Sequence, residues 1–217
     1  MNIKEILPLI GTILAFSPLT ITFFRKTNPC FKDEMLAIRP YLWLIFIGAF
    51  YELIFTSFLR IPSAYWFTAY TFLEFLALWY FFRELLGLRY MYFFKATMFI
   101  VIVVFLIILY YWEYNIHTTL EAYLLVPILL FVFISSFIWF KDLFNNEMTS
   151  LLIIPSFYFI SGLIIYFSGG FFISLLFDQL KIITGLSETN WLVFVGGLIV
   201  MYIMIIIGVW KGTERKP

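Results

Sequence analysis

The chain has 217 residues, of which 64% are hydrophobic, 23% aromatic and only 12% charged. A water-soluble domain of this length has too little interior to hide that much apolar surface, so the solvent must be lipid. A net charge of +1 gives no global pull toward nucleic acid or a strongly acidic partner, the single cysteine excludes an intrachain disulfide, and the single histidine excludes a multi-histidine metal or haem site within one chain.

Seven apolar segments follow one another, at about 5–24, 41–59, 64–82, 96–112, 121–140, 151–172 and 190–210. Each approaches the ~17–25 residues that cross a hydrocarbon core. Backbone polar groups in lipid must pair within their own segment, and no segment alternates apolar with polar residues, so the prediction is helices rather than strands. The whole chain, 1–217, reads as a single all-α transmembrane domain of seven helices.

In the first segment Lys4 and Glu5 cancel, and no small-x-small cleavage site follows the apolar run before Pro18. It therefore reads as a retained membrane helix rather than a signal peptide. The turn Arg60-Ile61-Pro62-Ser63 is tight, which predicts that helices 2 and 3 are antiparallel neighbours. A tyrosine cluster, Tyr110, Tyr111 and Tyr114, closes helix 4, and the polar loop Glu113–Glu121 precedes helix 5. The link 173–189 contains Asp178 and Lys181 and is expected to turn at Gly185. Gly196, Gly197 and Gly208 on helix 7 predict close helix approach. Pro8, Pro18, Pro127 and Pro155 fall within segments and predict kinks.

Orientation follows from Lys and Arg. Arg25, Lys26, Lys32, Arg39, Arg83, Arg89, Lys95, Lys141, Lys211, Arg215 and Lys216 share one side, leaving Lys4, Arg60 and Lys181 on the other. The basic side stays in the cytoplasm, which predicts an outer N-terminus, an inner C-terminus and a multi-pass membrane protein. Cys30 then lies in a reducing compartment, as an idle thiol. Trp43, Trp66, Trp79, Trp112, Trp139, Trp191 and Trp210 fall at or near segment ends, where indole prefers the headgroup level. A repeat of three helices, a linker and three helices is not visible: helices 2 and 3 carry acids at mid-segment and helices 6 and 7 do not.

Those acids are the candidate site. Glu52 lies roughly 16 Å from the inner end of helix 2, and Glu74 roughly 15 Å from the outer end of helix 3, at ~1.5 Å per residue. On that count the two carboxyls sit at similar depth. Thr56 is one turn from Glu52, and Tyr70 and Thr71 are one turn from Glu74, so hydroxyls share the acids' faces. Two readings stand side by side. One is an internal site for a ligand, proton or cation; the other is interhelical hydrogen-bond glue. On helix 6, Tyr158, Ser161 and Ser168 share a face beyond Pro155, whose ring frees the Leu151 carbonyl. That stripe either lines the same cavity or packs against neighbours beside Gly162 and Gly169. Glu113, His117 and Glu121 form an outer group that either titrates near neutrality or is plain solvated loop. There is no H-E-x-x-H, no G-x-S-x-G and no glycine-rich phosphate loop beside a lysine. Helix 7 holds no lysine in its span, which excludes a retinal Schiff base there.

The run Tyr70-Thr71-Phe72-Leu73-Glu74 through Tyr80-Phe81-Phe82, Glu121 opening helix 5, and Pro155 through Ser168 resemble a loosely defined group of bacterial seven-helix membrane proteins. Their layout with an outer N-terminus is similar to the membrane modules of bacterial histidine kinases. The resemblance implies a sensory or signal-relaying role. No kinase-like cytoplasmic domain lies in these residues, so output would pass through a membrane or cytoplasmic protein partner. It supplies no catalytic residue, no cofactor and no metal ligand.

The expectation is a non-enzymatic sensor or relay with a polar cavity among helices 2, 3 and 6. The alternatives are a small proton- or cation-coupled transporter or channel using Glu52 and Glu74, and a membrane-embedded lipid enzyme.

Overall fold

The computed structural model describes residues 3–60, 64–111, 117–145, 150–184 and 187–214. The turn at 61–63, the turn at Gly185, Glu113, and the side chains of His117, Glu121, Asp178 and Lys181 lie outside the described residues. Among the described residues there are seven α-helices and no strand: α1 (Ile3–Phe24), α2 (Lys32–Tyr51), α3 (Ala64–Leu86), α4 (Met91–Tyr110), α5 (His117–Asn145), α6 (Pro155–Thr184) and α7 (Ser187–Thr213). Four helical stretches are long and apolar enough to cross a membrane: Pro29–Thr56, Leu88–Tyr110, Tyr123–Asn145 and Val195–Thr213. Leu9–Phe24 and Pro155–Gly169 are shorter apolar helices.

Three local outcomes differ from the sequence reading. Helix α2 begins at Lys32 rather than near 41, because Asp33 and Glu34 in its first turn complement the positive helix end. It carries Pro40 inside, and beyond Tyr51 it widens into a π-helical turn, Glu52–Phe58. The i→i+5 bond from Leu59 N–H to the Ile54 carbonyl closes that turn. Pro155 does not kink helix 6; it opens it, where a fixed φ and a missing N–H suit the first position. The tryptophans, finally, do not all lie at the protein surface. Trp139 is buried, and Trp79 donates Nε1–H to the Phe94 carbonyl at 2.9 Å.

The chain groups into two compact units, Met1–Met35 with Thr149–Pro217, and Leu36–Met148.

In the first unit, α6 and α7 approach through glycines. A Cβ on Gly208 would lie 2.5 Å from the Phe159 ring and 3.0 Å from the Pro155 carbonyl, and one on Gly162 would lie 3.2 Å from the Met201 carbonyl. At Gly208 only a bare backbone fits and at Gly162 a Cβ would be tight, and close approach is what holds helices together where lipid supplies no hydrophobic drive. Gly196 and Gly197 meet nothing within 4 Å among the described residues, so the expected close contact is at Gly208. On α1, Ser17 donates to the Ile13 carbonyl and Thr20 to the Phe16 carbonyl, so their hydroxyls are satisfied inside the helix.

The second unit is organised around Phe131 of α5. Its ring meets Phe75 and Phe82 of α3 edge-on at 5.4 and 5.8 Å, and stacks near Phe93 of α4 at 5.9 Å. Such offset and edge contacts suit the aromatic quadrupole and add to the area each ring buries. Tyr90, just before α4, donates its hydroxyl to the Asp142 carboxylate near the end of α5 at 3.2 Å.

Candidate functional site

Helices α2 and α3 each bury one apolar stripe. On α2 the stripe is Ile38, Tyr41, Leu42, Ile45 and Ala49; on α3 it is Phe75, Leu78, Phe81 and Phe82. The spacing of three and four is that of a single helix face. Glu74 adjoins the α3 stripe and is only 5% exposed, and Tyr41 is 0% exposed. The Tyr41 hydroxyl donates to Glu74 Oε1 at 3.1 Å. A carboxyl that leaves water needs such a partner, since an unmatched polar group in an apolar interior costs several kcal/mol on the order of a lost solvation shell.

Three contacts set the register of the helix pair. Tyr41 meets Glu74, Gly48 lies under Tyr70, and Tyr51 stacks on Trp66 at 4.2 Å between ring centres. Residue numbers fall on one helix as they rise on the other, so the helices run antiparallel. A Cβ on Gly48 would come within 2.6 Å of the Tyr70 ring, so glycine is what lets that ring cross α2.

This register corrects the expectation of equal depth. Glu52 follows Tyr51 and is level with the start of α3, about ten residues from Glu74, or roughly 15 Å at the helical rise. Counting inward from each segment end missed this, because the end of α2 lies level with the first turn of α3 while Tyr41, nearer its start, lies level with Glu74. Glu52 is exposed. The α-periodic stripe of α2 would have brought it inward, but the chain widens to π geometry at that residue. Thr56, in the π turn, has Oγ1 buried without a hydrogen-bond partner among the described residues. Thr71 does not turn to Glu74; it donates to the Phe67 carbonyl of its own helix at 2.9 Å. Tyr70 is half-buried against Gly48.

The helix 6 residues belong to the other unit. Tyr158 donates to the Leu152 carbonyl at 3.0 Å, Ser168 donates to the Ile164 carbonyl at 2.5 Å, and Ser161 is half-buried. Two of the three hydroxyls of the expected stripe are thus spent on nearby backbone.

Tyr41 was missed in the sequence because it stands at the edge of the hydropathy segment, where tyrosine reads as an interfacial anchor. Extending the three-and-four spacing from Ala49 back through Ile45 to Ile38 would have found it. Among the described residues no group of three or more His, Cys, Asp or Glu side chains gathers to hold a metal. What the Tyr41–Glu74 pair can do is hold a proton, or accept one further donor, in surroundings where low polarity strengthens each hydrogen bond. No family model, curated protein or solved structure matches the chain.

Proposed function

We propose that the chain is a seven-span protein of the bacterial inner membrane, with its N-terminus outside, that senses or relays a signal instead of catalysing a reaction. The polar point of the module is Glu74 held by Tyr41. The observation that carries this reading is a buried carboxyl bonded to the neutral hydroxyl of a neighbouring helix. Intramembrane acids are retained where a ligand, a proton or a helix contact needs them, and a single hydrogen bond is weak enough to be exchanged for another. Output passes to a protein partner. The offset between Glu52 and Glu74 gives no support to a transporter in which the two share one proton or cation.

Native mass spectrometry of the chain released in patches of its own membrane tests the role. The relay predicts a second polypeptide travelling with the wild type, lost or weakened in Glu74→Gln and Tyr41→Phe, and no Glu74-dependent flux in proteoliposomes. A proton or solute flux that disappears with Glu74→Gln overturns it in favour of a transporter.

Topology has its own test. Cys30 is the sole cysteine and is exposed. A membrane-impermeant maleimide should label it only after intact cells are permeabilised; labelling in intact cells would reverse the orientation.

A further inference from the structure

The segment joining α1 to α2, together with the first turn of α2, attends to two helix ends within the unit that holds α1, α6 and α7. Asn28 donates its backbone N–H to the Gly212 carbonyl and its Nδ2–H to the Glu214 carbonyl, both at 2.9 Å. Its Oδ1 accepts the Cys30 N–H at 3.0 Å, which fixes the side chain. Gly212 and Glu214 lie at the end of α7, where carbonyls have no partner inside the helix. The neighbouring carbonyls are also met. Thr213 Oγ1 donates to Trp210 at 3.0 Å, and Glu214 N–H to Lys211 at 3.4 Å. The Arg25 guanidinium lies 3.5 Å over the Trp210 ring, so a cation sits beside the negative end of the same helix.

Eleven residues of chain contain both this cap and its counterpart. The Glu34 carboxylate accepts from the backbone N–H of Ser156 at 3.0 Å and from its hydroxyl. Ser156 is the second residue of α6 and is fully buried. Pro155 before it has no N–H, and the Phe157 N–H goes to the Ile154 carbonyl at 3.2 Å. The Ser156 N–H is therefore satisfied by a carboxylate 122 residues away in sequence, at a helix end that favours negative charge. Met35 adds a packing contact, since a Cβ on Gly212 would strike its Sδ.

We propose that residues 25–35 are a latch: one segment caps the carboxyl end of α7 and the amino end of α6, so the two caps seat and release together. Asn28 grips the first, Glu34 the second, and Met35 against Gly212 keeps the segment down between them. Neither helix end loosens alone while the segment is seated. The latch follows from contacts within one unit and does not depend on the relay reading.

Hydrogen exchange of the full chain in lipid nanodiscs tests it, read at a peptide spanning Ser156 and at one spanning the end of α7. Asn28→Ala removes a grip on α7 only, yet the latch predicts faster exchange at Ser156 by about fivefold or more, the size of a lost helix cap. Glu34→Ala should likewise speed exchange at the end of α7. Glu34→Gln keeps an acceptor oxygen and should leave both ends near wild type. Gly212→Val displaces Met35 without deleting a hydrogen bond, and should open both ends in a chain whose other helices stay protected. If each variant loosens only the end it touches, the segment is two independent caps and the latch is wrong. Should the alanine variants fail to fold, Gly212→Val alone decides between the two outcomes.

Discussion

Glu52 and Glu74 each place one carboxyl within an apolar stretch, yet Glu74 is buried against Tyr41 while Glu52 is exposed at the start of a π-helical turn. Their distances from the segment ends are nearly the same. What separates them is the slide of α2 against α3, set by the Tyr41–Glu74, Gly48–Tyr70 and Tyr51–Trp66 contacts. Position along a hydrophobic run says how far a residue is from water only when both helices of a pair start at the same level. Here they do not, and an acid level with its neighbour's first turn lies outside the core.

The contrast can be broken most severely at Tyr41. Tyr41→Ala opens a cavity at a fully buried site and leaves Glu74 without its donor, so unfolding in mixed micelles should show a loss of about 3–5 kcal/mol. Tyr41→Phe keeps the ring and removes only the hydroxyl, for which about 1 kcal/mol is expected in the same measurement. Glu52→Ala should cost less than Tyr41→Phe, because the Glu52 side chain is exposed and the Tyr41 side chain is fully buried. A Glu52→Ala loss as large as that of Tyr41→Phe would mean the two acids are equivalent after all.

Much of the helical architecture was legible because hydropathy is a local property. Seven apolar runs became seven helices, although several extend well past the runs. Helix α2 gained Lys32 to Pro40, a stretch too charged for a hydropathy window to include, whose helicity rests on its acidic first turn and on docking of Glu34 at Ser156. In the sequence Glu34 is one acid among the basic residues Lys32 and Arg39. Nothing near it in sequence announces a partner on α6. The same holds for Asn28, whose amide caps a helix that ends near residue 214. The site was half legible. Glu74 stood out because an acid in an apolar run is rare, and Tyr41 did not because tyrosine at a segment edge is common. Helix–helix register has no local signature, so the depth of Glu52 relative to Glu74 had to come from the contacts themselves.

The Tyr41–Glu74 hydrogen bond carries the account, and a double-mutant cycle of Tyr41→Phe with Glu74→Met, read as unfolding free energy in mixed micelles, tests it most directly. A coupling of about 0.5–1.5 kcal/mol is predicted, the range found for interhelical hydrogen bonds in membrane proteins. Additive effects, with no coupling, would mean that Tyr41 does not hold Glu74 and that the buried acid must be explained without it.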